Sequence, residues 1–261
     1  MKISKLKNYL KQQNFQDFTL DEFGTLHYKK AAHLQYEEDY FMKEYQAQYG
    51  KSYLADEPSL RKLAQKRLKY LTPYKNSHKN ILEIGCAAGF FLDEAKKAGF
   101  VPRGLEISNF ACEYAAGLGL HVTNESFLDV SFHETFDMVA AFYVIEHFPD
   151  QNLIFRKISS LLKPGGLFLF AMPSFHGPFF YHHPESFVKT HPADHFVDYS
   201  PRSLTSFLAT YHFKKIMIKP SSFHPGRAGW PDSLSFIYKM YASFFCYGDT
   251  MEGLFVKVNS N

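Results

Sequence analysis

Residues 80–89 read Asn-Ile-Leu-Glu-Ile-Gly-Cys-Ala-Ala-Gly, and few folds can accommodate them. The apolar run from Ile81 to Ile84 has the length of a buried parallel strand, and an amphipathic helix is expected from about Phe90 to Ala98. The junction carries Gly85, Ala87, Ala88 and Gly89. Small residues there let the backbone approach a ligand, and the helix start offers unpaired N–H groups. A second strand, Val101 to Leu105, then ends in Glu106. A carboxylate at that tip is placed to accept two hydrogen bonds from a ribose diol. The segment reads as a nucleoside-binding β-α-β unit.

The spacing argues against a dinucleotide. A pyrophosphate site reads G-x-G-x-x-G, whereas here the order is Glu83-x-Gly85-x-Ala87-x-Gly89. An acid two residues before the first glycine repels a diphosphate and suits a cationic amino-acid moiety. At these residues the chain resembles the class I S-adenosylmethionine-dependent methyltransferases. The resemblance implies that Glu83, Gly85, Cys86, Ala87 and Gly89 hold the methionine part of S-adenosyl-L-methionine, and that Glu106 with Ile107 holds the ribose. Ala87 departs from the family's middle glycine by one methyl group.

A second segment carries the same resemblance: Phe136-Asp137-Met138-Val139, then Val144-Ile145-Glu146-His147, then Leu161-Leu162-Lys163-Pro164-Gly165-Gly166. The first of these is a strand to Phe142, apolar at nearly every position and so covered on both faces. A helix from Asp150 to Leu162, a turn at Lys163–Gly166 and a strand from Leu167 to Met172 are expected to follow. The similarity spans about residues 79–218. It implies that Phe127 and Leu128 sandwich adenine, although plain core packing is their alternative, and that Phe142 and Tyr143 complete the donor pocket.

The implied fold is α/β: a Rossmann-like, doubly wound seven-stranded sheet with an antiparallel last strand. Residues 1–72 read as a helical N-terminal extension, with a hairpin around Phe23-Gly24-Thr25, and 73–261 as the methyltransferase domain. Tyr36 to Tyr53 places aromatic residues four apart, either packing on the catalytic core or forming a lid. Pro58 to Leu71 reads as a helix with leucines on one stripe and basic residues opposite. Ser108 caps a helix to about Leu118, and short strands are expected at His121–Thr123, Phe213–Lys219 and Leu254–Val258. An aromatic-rich insertion at about 221–247 walls a pocket, makes a homodimer contact, or simply packs.

A net charge of +3 gives no strong signal for nucleic acid. Three widely spaced cysteines form no C-x-x-C pair, which points to a reducing cytoplasm rather than to zinc or disulfides. No apolar run is long enough to span a bilayer, and no signal peptide is read at the N-terminus.

Methyl transfer from a sulfonium needs positioning, exclusion of water and sometimes a base. His147, at the carboxyl end of the fourth strand, is the candidate base, with loop orientation as its alternative role. His195 is the second catalytic candidate, in the segment His-Phe-Val-Asp-Tyr-Ser-Pro, which resembles one beneath the substrate pocket of small-molecule methyltransferases. Five histidines between 176 and 195 raise a metal hypothesis. Metal-dependent methyltransferases of small RNAs and ubiquinone precursors carry E-x-x-E-H, and Tyr143 stands where the first Glu belongs, so no metal is expected. The expected activity is transfer of a methyl group to a small or lipid-like acceptor at O or C, with S-adenosyl-L-homocysteine as product. An RNA or protein methyltransferase, or a donor-binding protein without turnover, are the alternatives.

Overall fold

The computed structural model describes residues 3–33, 50 and 52–259. Its elements are α1 (Ile3–Gln12), β1 (Phe18–Leu20), β2 (Leu26–Tyr28), α2 (Glu57–Leu71), β3 (Asn80–Ile84), α3 (Phe90–Lys97), β4 (Val101–Leu105) and α4 (Asn109–Gly117). There follow β5 (Val122–Thr123), β6 (Phe136–Phe142), α5 (Gln151–Leu161), β7 (Leu162–Pro173), α6 (Pro178–His182) and α7 (Pro184–Lys189). The chain closes with β8 (Val197–Asp198), α8 (Pro201–Ala209), β9 (Phe213–Pro220), α9 (Ser235–Phe245) and β10 (Thr250–Lys257). Seven strands form one sheet, as the sequence leads one to expect, and their order is β5-β4-β3-β6-β7-β10-β9. β3 runs parallel to β4 and β6, and β10 antiparallel to β9.

One compact unit comprises residues 34–142 and 157–169. Here β6 is buried at every position from Phe136 to Ala141, which explains its near-continuous apolar run. The exception, Asp137, is fully engaged: Oδ2 accepts N–H groups of Lys79 and Asn80 at 2.9 Å, and Oδ1 pairs with Lys163 Nζ at 2.7 Å. Burial alone would raise this carboxyl, but Lys163 and the two N–H donors hold it below its ordinary value. α2 is joined to α3 through Arg61, which pairs with Asp93 at 2.5 Å and Glu94 at 2.8 Å. The expected turn at Lys163–Gly166 is corrected: β7 starts at Leu162. Gly165 takes φ +76°, with nothing close to its Cβ position, and a Cβ at Gly166 would meet the carbonyls of Lys163 at 2.8 Å and Asp137 at 3.2 Å, so Gly165 supplies the left-handed backbone and Gly166 the close strand approach.

The other unit comprises residues 1–33, 143–156 and 170–261. A small sheet, β1-β2-β8, pairs the expected N-terminal hairpin with a strand 170 positions later, in register His27↔Val197. Leu6, Leu10, Phe15, Phe18, Phe180 and Phe187 form one buried cluster beside it. α8 begins at a capping box, in which Ser200 and Ser203 bond reciprocally. The last strand starts at Thr250, not Leu254, because Gly253 belongs inside it: a Cβ there would meet Met217 O at 2.7 Å. Most of the tyrosine-spaced segment lies outside the described residues. Its last member, Tyr53, stacks on Phe90 with centroids 5.7 Å apart.

Candidate functional site

β3 leads into a turn whose alternate residues are left-handed: Gly85 at φ +66°, Ala87 at +47° and Gly89 at +80°. Gly89 is the N-cap of α3, and a Cβ on it would meet Leu120 Cδ1 at 2.6 Å and Ala115 Cβ at 3.0 Å. Ala87 holds the same hand without glycine's freedom, so the departure noted in the sequence is a strained position. Cys86 is buried beneath the turn, its Sγ 2.5 Å from where a Cβ on Gly104 would lie, and burial pushes its thiol well up.

Glu106 ties this turn to the end of β4. Its Oε2 accepts the Ala87 N–H at 2.8 Å, and its Oε1 accepts the N–H groups of Ile107 at 2.8 Å and Ser108 at 2.9 Å. Burial raises this carboxyl, with the three N–H donors opposing. The sequence reading gives Glu106 two hydroxyl partners. Three of the carboxylate's roughly four acceptor positions are already taken, which leaves one on Oε2. Ser108 caps α4, its hydroxyl accepting from Ala111 N–H.

Glu83 is fully buried, and burial raises its carboxyl well above the ordinary value against the pull of Arg67. Arg67 is buried too, and its guanidinium lies 4.1 Å from the Phe142 ring centroid. The sequence reading put the basic residues of α2 on an exposed face. Position 67 falls between buried Ala64 and Leu71, and that spacing is the signal that would have placed it inside. Phe127 is buried, its ring 5.2 Å from Lys157 Nζ, which also donates to the carbonyls of Leu128 and Val130. Ile107 is half exposed. The cradle is small-residue, left-handed and lined by two carboxyl groups, which fits a cationic adenosyl ligand without phosphate.

The second constellation follows β6. Tyr143 is left-handed at φ +56°, and its N–H reaches Ala171 O at 2.7 Å. A short 3₁₀ turn then carries Ile145, Glu146 and His147, held by Gln151 Nε2 on the carbonyls of Ile145 and Phe148. Asp194 Oδ2 lies 3.0 Å from His147 Nδ1, and Asp194 O lies 3.2 Å from the same nitrogen. Two acceptors on Nδ1 place the proton there and leave Nε2 as the basic nitrogen. Burial lowers His147, yet Asp194 and Glu146 outweigh it and the ring is raised overall.

The His195 ring stands edge-on to His147 at 4.8 Å, and burial brings it down to about 4. Among the described residues the Glu146 carboxylate has no hydrogen-bond partner, and burial lifts it to about 7. Glu146, His147 and His195 offer donor atoms within 4.8 Å of one another, as do His191, His195 and Asp198, and either set could hold a cation. The other histidines of the run are engaged elsewhere or lie apart: His183 Nε2 sits 3.0 Å from Arg227 O, and His176 Nδ1 3.3 Å from Tyr181 Oη. Sequence reasoning missed Asp194, the partner that fixes the His147 tautomer.

A family model described as "Methyltransferase domain" matches residues 54–217. The ubiquinone biosynthesis O-methyltransferase of Pasteurella multocida is 29% identical over 124 residues, covering 40% of this chain and 51% of that protein. The chain thus spans about half the length of the curated relatives it matches. An S-adenosylmethionine-dependent methyltransferase from Archaeoglobus fulgidus has the same fold at TM-score 0.57 and 17% identity, covering 82% of this chain and 98% of its own. The plantazolicin methyltransferase BpumL, solved with S-adenosyl-L-homocysteine, aligns at TM-score 0.54 and 14% identity, covering 83% and 88%.

Proposed function

The chain belongs to the class I S-adenosylmethionine-dependent methyltransferases, and from that premise we propose that it methylates a hydroxyl group of a small or lipid-like molecule. The observation that carries the O-directed reading is the His147–Asp194 pair, in which two acceptors on Nδ1 hold the proton there and make Nε2 the basic nitrogen. The name of the Pasteurella relative supports it.

When bound, the donor supplies an electrophilic methyl group on sulfonium. Glu83, Gly85, Cys86, Ala87 and Gly89 would hold its amino-acid part, and Glu106 its ribose through the open Oε2 position. Phe142 would line the pocket, and Phe127 with Leu128 would flank the base. His147 Nε2 takes the acceptor's hydroxyl proton as the O–C bond forms, and Asp194 stabilises the resulting imidazolium. His195, held neutral by burial, positions that ring by edge contact. The products are the methyl ether, S-adenosyl-L-homocysteine and a proton.

A second reading is favoured by one observation, the Glu146 carboxylate that has no hydrogen-bond partner among the described residues and lies beside two imidazoles: a divalent cation there would orient the acceptor. His147 Nε2 cannot serve as base and ligand together. Three free cysteines support a reducing compartment. Titration calorimetry with donor and demethylated product, followed by turnover of methyl-labelled donor with hydroxylated acceptors, tests the proposal. Donor binding without label transfer to any hydroxyl would leave a silent binder, and label on carbon would move the reading to C-methylation.

A further inference from the structure

Helix α9 is apolar on its outside. Tyr238 and Ala242, one turn apart, are fully buried and dock it in a cluster with Phe223 and Trp230. Phe236, Ile237, Met240, Tyr241, Phe244 and Phe245 are between 42% and 84% exposed. Positions i, i+1, i+4, i+5, i+8 and i+9 form an unbroken band along the helix. Single exposed apolar residues are ordinary, but a contiguous aromatic band marks a surface that meets something.

Charge decides between occupants. The helix itself contains no acid and one base, Lys239, whose Nζ lies 5.4 Å from the Phe223 ring centroid; the flanking acids are Asp232, before the helix, and Asp249, which is paired with Arg227. Lys215 is exposed on β9, the edge strand, and acts electrostatically on the Cys246 thiol at the end of α9. A second copy docking this face on itself would bring lysine towards lysine with no carboxylate in the band to receive it. A layer of anionic headgroups supplies the missing charge.

We propose that α9 lies flat in the interface of an anionic lipid membrane, with its aromatic band among the acyl chains and Lys239 and Lys215 among the headgroups. At 11 residues it is about 16 Å long and cannot span, whereas an interfacial helix needs only an apolar face and flanking cations. This inference rests on the surface of α9 and not on the methyl-transfer reading.

The test is co-sedimentation of the full chain with vesicles of equal parts phosphatidylcholine and phosphatidylglycerol, against vesicles of phosphatidylcholine alone. Binding is expected to the anionic vesicles, to weaken with salt, and to fall more than about tenfold in a Phe236→Ser, Phe244→Ser double variant. Lys239→Gln should weaken it about fivefold. These side chains are exposed, so thermal unfolding and donor binding should stay at wild-type values and separate lost docking from lost folding. Failure of the wild type to sediment, or sedimentation unaffected by the double variant, would overturn the proposal. So would a dimer, seen by analytical ultracentrifugation without lipid, that the same double variant dissolves.

Discussion

Asp194 offers His147 two acceptors at once, its carboxylate at 3.0 Å and its own carbonyl at 3.2 Å, both on Nδ1. Replacing His147 with Ala is expected to lower turnover by about a hundredfold or more. Donor affinity, set by another part of the chain, should hold. Asp194→Asn removes the negative charge that raises the imidazole, so the acidic limb of kcat/KM against pH should move to lower pH, with reduced kcat. An unmoved limb would take His147 out of the base role.

Glu106→Ala should weaken donor binding by about 2–3 kcal/mol, through one charge-assisted hydrogen bond and the loosening of a turn whose N–H groups lose their acceptor. Calorimetry reads this directly, and unchanged affinity would refute the ribose assignment.

The two ends of the turn should respond oppositely to one methyl group. Gly89→Ala puts a side chain at φ +80° against Leu120 and Ala115 and should cost about 1–3 kcal/mol in stability. Ala87→Gly relieves a left-handed alanine and should stabilise by up to about 1 kcal/mol. Urea unfolding of both variants checks the pair, and equal signs would contradict the geometry.

Glu146 binds its proton more tightly folded than unfolded, 4.5 rising to about 7. Its contribution to stability is therefore full below the ordinary carboxyl range and lost as pH rises to about 7, a fall of roughly 3 kcal/mol. Subtracting the wild-type stability profile from that of Glu146→Gln should show a difference growing over this window and flat above it. A difference that does not vary with pH would mean that the buried carboxyl ionises freely.

Removing divalent ions with a chelator is expected to leave turnover unchanged if, as proposed, the basic Nε2 of His147 takes the proton. Activity lost to the chelator and restored by zinc or magnesium would instead give Glu146, His147 and His195 to a cation.

Much of this architecture was legible because it is local. The run from Ile81 to Gly89, the acid at the end of β4 and the Ser108 cap each combine a period with a punctuating residue within a few positions. What escaped depends on contacts distant in sequence. Nothing near Val197 announces that it pairs with His27, and nothing near His147 names Asp194 as its partner. Arg67 was taken for a solvated charge because its type outweighed its spacing. Gly165 and Gly166 were taken as a turn, although β7 runs through them, and Gly253 was left outside the last strand, although it lies inside against Met217 O. The histidine run was half informative: His191 and His195 converge with acids, while His176 and His183 do not join them.

The thiol of Cys86, sealed under the turn opposite Gly104, has a practical corollary. With Cys112 and Cys246 also raised by burial, all three sulfurs should react sluggishly with maleimide at neutral pH. An engineered surface cysteine could then take a fluorophore selectively, and the native three would not need to be stripped out beforehand.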